Sequence, residues 1–106
     1  MEIHFGDSDL ARLYEGKPPK RKEWKSNAQM IKQFIKTVNQ MRAATTVEQL
    51  MRFGGLHYKK LTNDPEGMSA VRINKQYRLH FKEITNNEDP PRVIIFRIDK
   101  ITNHYE

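Results

Sequence analysis

The chain contains no cysteine. Disulfides, thiolate metal sites and a cysteine nucleophile are therefore excluded, and the composition fits a reducing cytosol, so a cytoplasmic location is expected. No run approaches the ~20 consecutive apolar residues that a membrane-spanning helix requires, and no membrane association is expected. The first ten residues carry Glu2, His4, Asp7 and Asp9 rather than the basic start and apolar stretch of a secretory signal. Aromatic residues are sparse around the basic run at 20–25, with only Trp24 adjacent to it, which makes base-stacking capture of single strands less attractive. The chain has no nucleophile elbow, no HExxH and no phosphate-binding glycine loop. His4, His57, His80 and His104 lack metal-ligand spacing, so neither a metal nor a cofactor is expected.

What the sequence does have is positive charge. Its 106 residues include 19 Lys plus Arg against 13 Asp plus Glu, a formal balance of +6. A chain of this length buries roughly 65% of the surface its extended form exposes, enough for one modest core, and residues 1–106 are read as a single domain. The charge suits a polyanionic or acidic partner, or else a diffuse solvated surface; its location decides between them.

Ile3 and Phe5 alternate with polar neighbours in a short opening strand, after which Asp7 or Ser8 caps a first helix through Leu10, Leu13 and Tyr14. Gly16, Pro18 and Pro19 stop it. Lys20, Arg21, Lys22 and Lys25 then form the densest basic run, read as a solvated loop or as an electrostatic arm that touches phosphates. Ser26 or Asn27 caps the clearest helix, where Met30, Ile31, Phe34, Ile35, Val38 and Met41 recur at three- and four-residue steps. That stripe seeks a core. Thr45 or Thr46 opens a short third helical turn through Leu50, ended by Gly54 and Gly55.

From Leu56 the period becomes twofold, predicting strands over 56–61, 68–73, 77–84 and 93–98. The Val-Ile-Ile-Phe run of the last reads as a strand buried on both faces. Helices first and strands after is the α+β pattern: two main N-terminal helices and a short third, packed on a mainly antiparallel sheet.

Side-chain parity makes the hairpin from Val71 to Phe81 the most informative segment. Burying Val71, Ile73, Tyr77, Leu79 and Phe81 together requires Ile73 opposite Tyr77 across a three-residue turn. Arg72 then lies opposite Arg78 on the other face, with His80 and Lys82 beside them. A two-residue turn would set Val71 against Arg78 and mix the faces. Like charges directly opposite in a sheet are destabilising, so two cross-strand arginines call for an anion, either a phosphate or a carboxylate from elsewhere in the chain. Arginine suits phosphate because its planar fork donates two parallel hydrogen bonds at any relevant pH. Two further clusters can reach this face: His57, Tyr58, Lys59 and Lys60 before the hairpin, and Thr102, Asn103, His104 and Tyr105 at the terminus. Histidine exchanges protons near neutral pH, and a shifted lysine or tyrosine can do the same.

The segment 56–61 (Leu-His-Tyr-Lys-Lys-Leu), the run 69–73, and above all 71–79 (Val-Arg-Ile-Asn-Lys-Gln-Tyr-Arg-Leu) resemble the HigB-type toxins of the RelE/ParE superfamily. The likeness extends from about Asp7 to the end. It implies a helical pair laid on an antiparallel sheet and a ribosome-dependent endoribonuclease, or mRNA interferase, that halts translation by cutting messenger RNA in the decoding site. It further implies a co-encoded, HigA-like helix-turn-helix antitoxin. Within this resemblance Arg78 matches the arginine that stabilises charge on the scissile phosphate and Arg72 the arginine of the preceding strand. His57 and Lys60 match a histidine and a nearby basic position, and His104 the terminal histidine. Thr62 stands where many relatives carry lysine, Thr102-Asn103 replaces a common Asp-Tyr, and Tyr105 follows the histidine instead of preceding it. The acid and base stay open among His104, His57, Lys60 and Tyr105.

The expected reaction is transesterification, in which the RNA's own 2′-hydroxyl attacks the neighbouring phosphorus. Lys20, Arg21, Lys22, Lys25, Lys59, His80 and Lys82 are the expected RNA and ribosome contacts. Two rivals are a ParE-like inhibitor of DNA gyrase and a non-catalytic RNA-binding module.

Overall fold

The computed structural model describes residues 1–103. The chain opens with β1 (Glu2–Phe5), followed by α1 (Ser8–Tyr14), α2 (Lys22–Lys25), α3 (Ala28–Ala43) and α4 (Val47–Met51). A 3-10 turn (Gly54–Leu56) then leads to β2 (Lys59–Lys60), β3 (Ser69–Arg72), β4 (Tyr77–Thr85) and β5 (Val93–Asn103). Helix starts follow the capping chemistry of the sequence. The Asp7 carboxylate accepts from the Asp9 and Leu10 amides, Asn27 Oδ1 from the Met30 amide and Thr46 Oγ1 from the Gln49 amide.

The five strands form one mixed sheet in the order β1-β5-β4-β3-β2, with β1 parallel to β5 and every other pair antiparallel. The helices cover one face. Met30, Phe34, Val38 and Met41 of α3 are buried against Val71, Leu79, Phe81, Phe96 and Ile98 of the sheet, together with Leu10, Leu13 and Leu50. Phe81 and Phe96 meet edge to face at 4.9 Å between ring centroids. Among the described residues no helix lies on the other face of the sheet, the open face, although Ala70 on it is buried.

Three expectations are corrected. The basic run holds a helical turn, α2, and its Trp24 is buried, which removes the ring from any role in base stacking. Residues 56–61 are not a continuous strand: His57 has a left-handed backbone (φ 46°), so only Lys59 and Lys60 pair with β3. β5 runs five residues past Ile98 and is buried on one face only, with Phe96 and Ile98 inside and Ile94 39% exposed. The physical reason is the open sheet face together with two irregularities of the β4–β5 ladder, which displace Ile94 and Asp99 from pairing.

Candidate active site

The hairpin register places Arg72 directly opposite Arg78, and Val71 opposite Leu79 in the core. The Ile73 amide donates to the Tyr77 carbonyl at 2.9 Å. Alternation along an antiparallel ladder then makes Arg72 and Arg78 a non-hydrogen-bonded pair, the kind whose Cα atoms approach to about 4.5 Å. Arg78 in turn is opposite Thr102 of β5, so a row Arg72–Arg78–Thr102 crosses three strands on the open face. Both arginines are half-buried.

The turn between the strands is built by Asn74. Its Oδ1 accepts from the amides of Gln76 and Tyr77, at 2.8 Å each, closing an Asx turn. Its Nδ2 donates to Gln33 Oε1 of α3 at 2.8 Å, and its carbonyl accepts from Arg72 Nε at 3.1 Å. One residue thus sets the turn, ties it to the main helix and orients an arginine. The turn is evident in the sequence; the link to Arg72 is not, because it runs through a backbone carbonyl. Among the described residues Arg72 makes no ion pair. It lines a cleft of about 210 Å³ with Gln33, Lys36 and Gln40 of α3 and with Gly55 and Leu56.

A second cross-sheet row, Lys59–Ala70–His80–Lys100, lies beside the arginine row. His80 Nε2 is 3.1 Å from Thr102 Oγ1, which connects the two. Lys59, His80 and Lys100 border a cavity of about 330 Å³ with Leu61, Thr62, Asn63 and Asp64. Lys82 is paired with Arg97, whose guanidinium donates to both Asp99 oxygens at 2.9 and 3.0 Å. That bond holds the Arg97 pKa above its ordinary value.

The remaining expected residues distribute unevenly. His57 is exposed, at the end of the 3-10 turn whose Gly55 and Leu56 border the Arg72 cleft. Lys60 is opposite Ser69, a residue of the core-facing row, so it belongs to the other face from Lys59, and its ammonium lies 3.8 Å from Glu83. Lys20, Lys22 and Lys25 are exposed, and α2, which carries Lys22 and Lys25, packs beside α3. Arg21 is engaged there: it pairs with Asp7 and stacks 4.7 Å over Trp24. His104 and Tyr105 lie outside the described residues. Within the described residues, β5 brings Thr102 and Asn103 opposite Arg78 and Tyr77. No group of three or more His, Asp or Glu among the described residues is arranged to hold a metal ion.

Residues 3–90 match the model of a protein family described as the RelE-like toxin of the type II toxin-antitoxin system HigB. Among solved structures, the fold is similar to a YoeB/ParE toxin from Agrobacterium tumefaciens, with a TM-score of 0.52 and 16% sequence identity over 99% of this chain and 100% of that one. At that identity the likeness concerns the fold. No curated protein matches the chain. With most of its length covered by the family model, and with the α+β architecture in common with a toxin of known structure, the chain belongs to the HigB-like family of RelE-like type II toxins.

Proposed function

We propose that this toxin is a ribosome-dependent endoribonuclease that cuts messenger RNA by attack of the substrate's 2′-hydroxyl on the adjacent phosphorus. The 2′-hydroxyl gives its proton to a base, the bond from phosphorus to the 5′-oxygen breaks, and an acid protonates that leaving oxygen, leaving a 2′,3′-cyclic phosphate. The observation that supports this reading is the Arg72–Arg78 pair, directly opposed on the open face of the sheet. Bringing two guanidinium groups together is unfavourable by up to ~1 kcal/mol unless an anion lies between them. A pentacoordinate phosphorane, more highly charged than the phosphate it comes from, gains more from such donors than the ground state does, and that difference is what accelerates a reaction. Arg78 and Arg72 supply charge stabilisation. Proton transfer falls to His104, with His57, Lys60 or Tyr105, each such role contributing about 10²–10⁴-fold. His57 is exposed at the Arg72 end of the row, whereas Lys60 is paired with Glu83. RNA is required because the attacking hydroxyl is absent from DNA.

The test is to express the wild-type chain, Arg78→Ala and His104→Ala, and to map the 5′ ends of cellular transcripts. Cleavage within translated codons that both substitutions suppress supports the nuclease. Intact transcripts with blocked supercoiling would instead indicate a ParE-like gyrase inhibitor, and salt-sensitive RNA binding without either effect a passive binding module. A type II toxin has an antitoxin partner; the proposed one is an acidic, HigA-like helix-turn-helix protein that covers part of the basic surface. Mixing the toxin with the product of the adjacent reading frame should give a tight complex without RNA cleavage.

A further inference from the structure

Tyr58, Ser69 and Glu83 form a polar cluster that the chemistry above does not use. On the core-facing side of the sheet, the hydroxyls of Tyr58 and Ser69 both donate to Glu83 Oε2, and Lys60 Nζ approaches the same oxygen at 3.8 Å. The Glu83 side chain is only 11% exposed. The Tyr58 ring packs on Phe81 with 6.3 Å between centroids. Burial and the Glu83 carboxylate push the Tyr58 pKa up to about 12, so the hydroxyl keeps its proton.

Stability alone does not call for this arrangement. Replacing buried ion pairs and their hydrogen-bonded neighbours by well-packed apolar residues is often neutral or stabilising. What the cluster does accomplish is local. Tyr58 immediately follows His57, whose left-handed backbone costs roughly 1–3 kcal/mol and persists only where its surroundings over-determine it. On the N-terminal side, the 3-10 turn holds His57 through its amide, which donates to the Gly54 carbonyl, and through buried Leu56. On the C-terminal side, the anchor is Tyr58, tethered through Glu83 to β4, the strand that also carries Arg78.

We infer that Tyr58, Ser69 and Glu83 form a positioning network that fixes His57 at the arginine row by tying the residue after it to the strand of Arg78. The network touches no substrate and acts through His57. Its consequence for catalysis rests on the nuclease reading; its consequence for His57 does not.

The experiment therefore has two arms. Cleavage of ribosome-bound RNA is measured for Tyr58→Phe and Glu83→Gln, each in the wild-type and the His57→Ala background. Each substitution should lower kcat about tenfold with KM unchanged, since small misplacements of a reacting group are costly. With His57 already removed, the further loss should be less than about twofold. Equal losses in both backgrounds, or no loss in the first, overturn the inference. The second arm is backbone ¹⁵N relaxation of the free chain, without RNA. The His57 amide should be ordered in the wild type and should fall below an order parameter of about 0.6 in both variants while α3 is unchanged. If the wild-type chain cuts no RNA, the nuclease reading fails and this arm decides alone; a His57 amide as ordered in the variants as in the wild type then overturns the network. Should Glu83→Gln not fold, Tyr58→Phe, which keeps its ring on Phe81, carries both arms.

Discussion

Arg72 is directly opposite Arg78 in the β3–β4 register, on the face of the sheet that points away from the core. The pairing follows from burial. Val71, Leu79 and Phe81 are inaccessible to solvent, and a slip of one residue would turn all three outward and the arginines inward. The same force that folds the hairpin therefore sets two arginines at opposed positions of the ladder.

Asn74 is the residue on which that geometry depends. Replacing it with alanine removes both side-chain bonds that close the turn and the bond to Gln33. The loss should cost about 1–3 kcal/mol, seen as a lower midpoint in urea at unchanged slope. RNA cleavage should fall by more than the unfolded fraction explains, because Arg72 Nε loses the orientation of its carbonyl acceptor.

Lys59 and Lys60 are adjacent in the chain but should behave differently. Lys59 is in the open-face row with His80 and Lys100, whereas Lys60 is paired with Glu83 on the other face. Lys59→Ala should weaken RNA binding and reduce the salt slope by about 0.7, the value for one phosphate contact on a single strand. Lys60→Ala should leave the slope unchanged. Filter binding over a range of potassium concentrations makes the comparison.

Asp9 supplies a pH signature of stability. It is buried, and its carboxylate accepts from the Lys20 amide at 2.8 Å and the Arg21 amide at 3.2 Å. Burial raises its pKa, but these amides and the Arg21 and Arg12 charges outweigh burial and hold it below the ordinary 3.8. A carboxyl whose folded pKa lies below its unfolded one stabilises fully above the unfolded value, and the contribution is lost as pH falls through the folded value. Asp9→Asn, which turns an amide N–H toward an N–H donor, should therefore be less stable than wild type at pH 7. The gap in urea midpoint should narrow only below about pH 3.8.

The legible and illegible parts of this molecule divide along physical lines. Periodicity of 2 and 3.6, read with caps and turn residues, is enough for α3, for the helices-then-sheet order and for the Arg72–Arg78 register, because each follows from burying one face. Residues 56–61 defeat the same reasoning, since alternation in sequence says nothing of a left-handed residue such as His57 that breaks the strand. Trp24 sits within a run of charges and yet is buried, while its neighbour Arg21 is held by Asp7, an ion pair that tertiary structure alone creates. Nothing in the sequence singles out Glu83; Tyr58 and Ser69 converge on it only in the fold. Which of two neighbouring lysines reaches the open face likewise depends on the register of a two-residue edge strand.

The most direct measurement is the single-turnover cleavage rate of messenger RNA on programmed ribosomes by the wild-type chain, Arg72→Ala, Arg78→Ala and the double substitution. If the opposed arginines share one phosphorane, each single substitution should slow cleavage about 10²–10³-fold at saturating toxin. The double should be far less severe than the product of the two, as for groups that act as a unit. A double variant that cleaves as fast as the wild type would contradict the account.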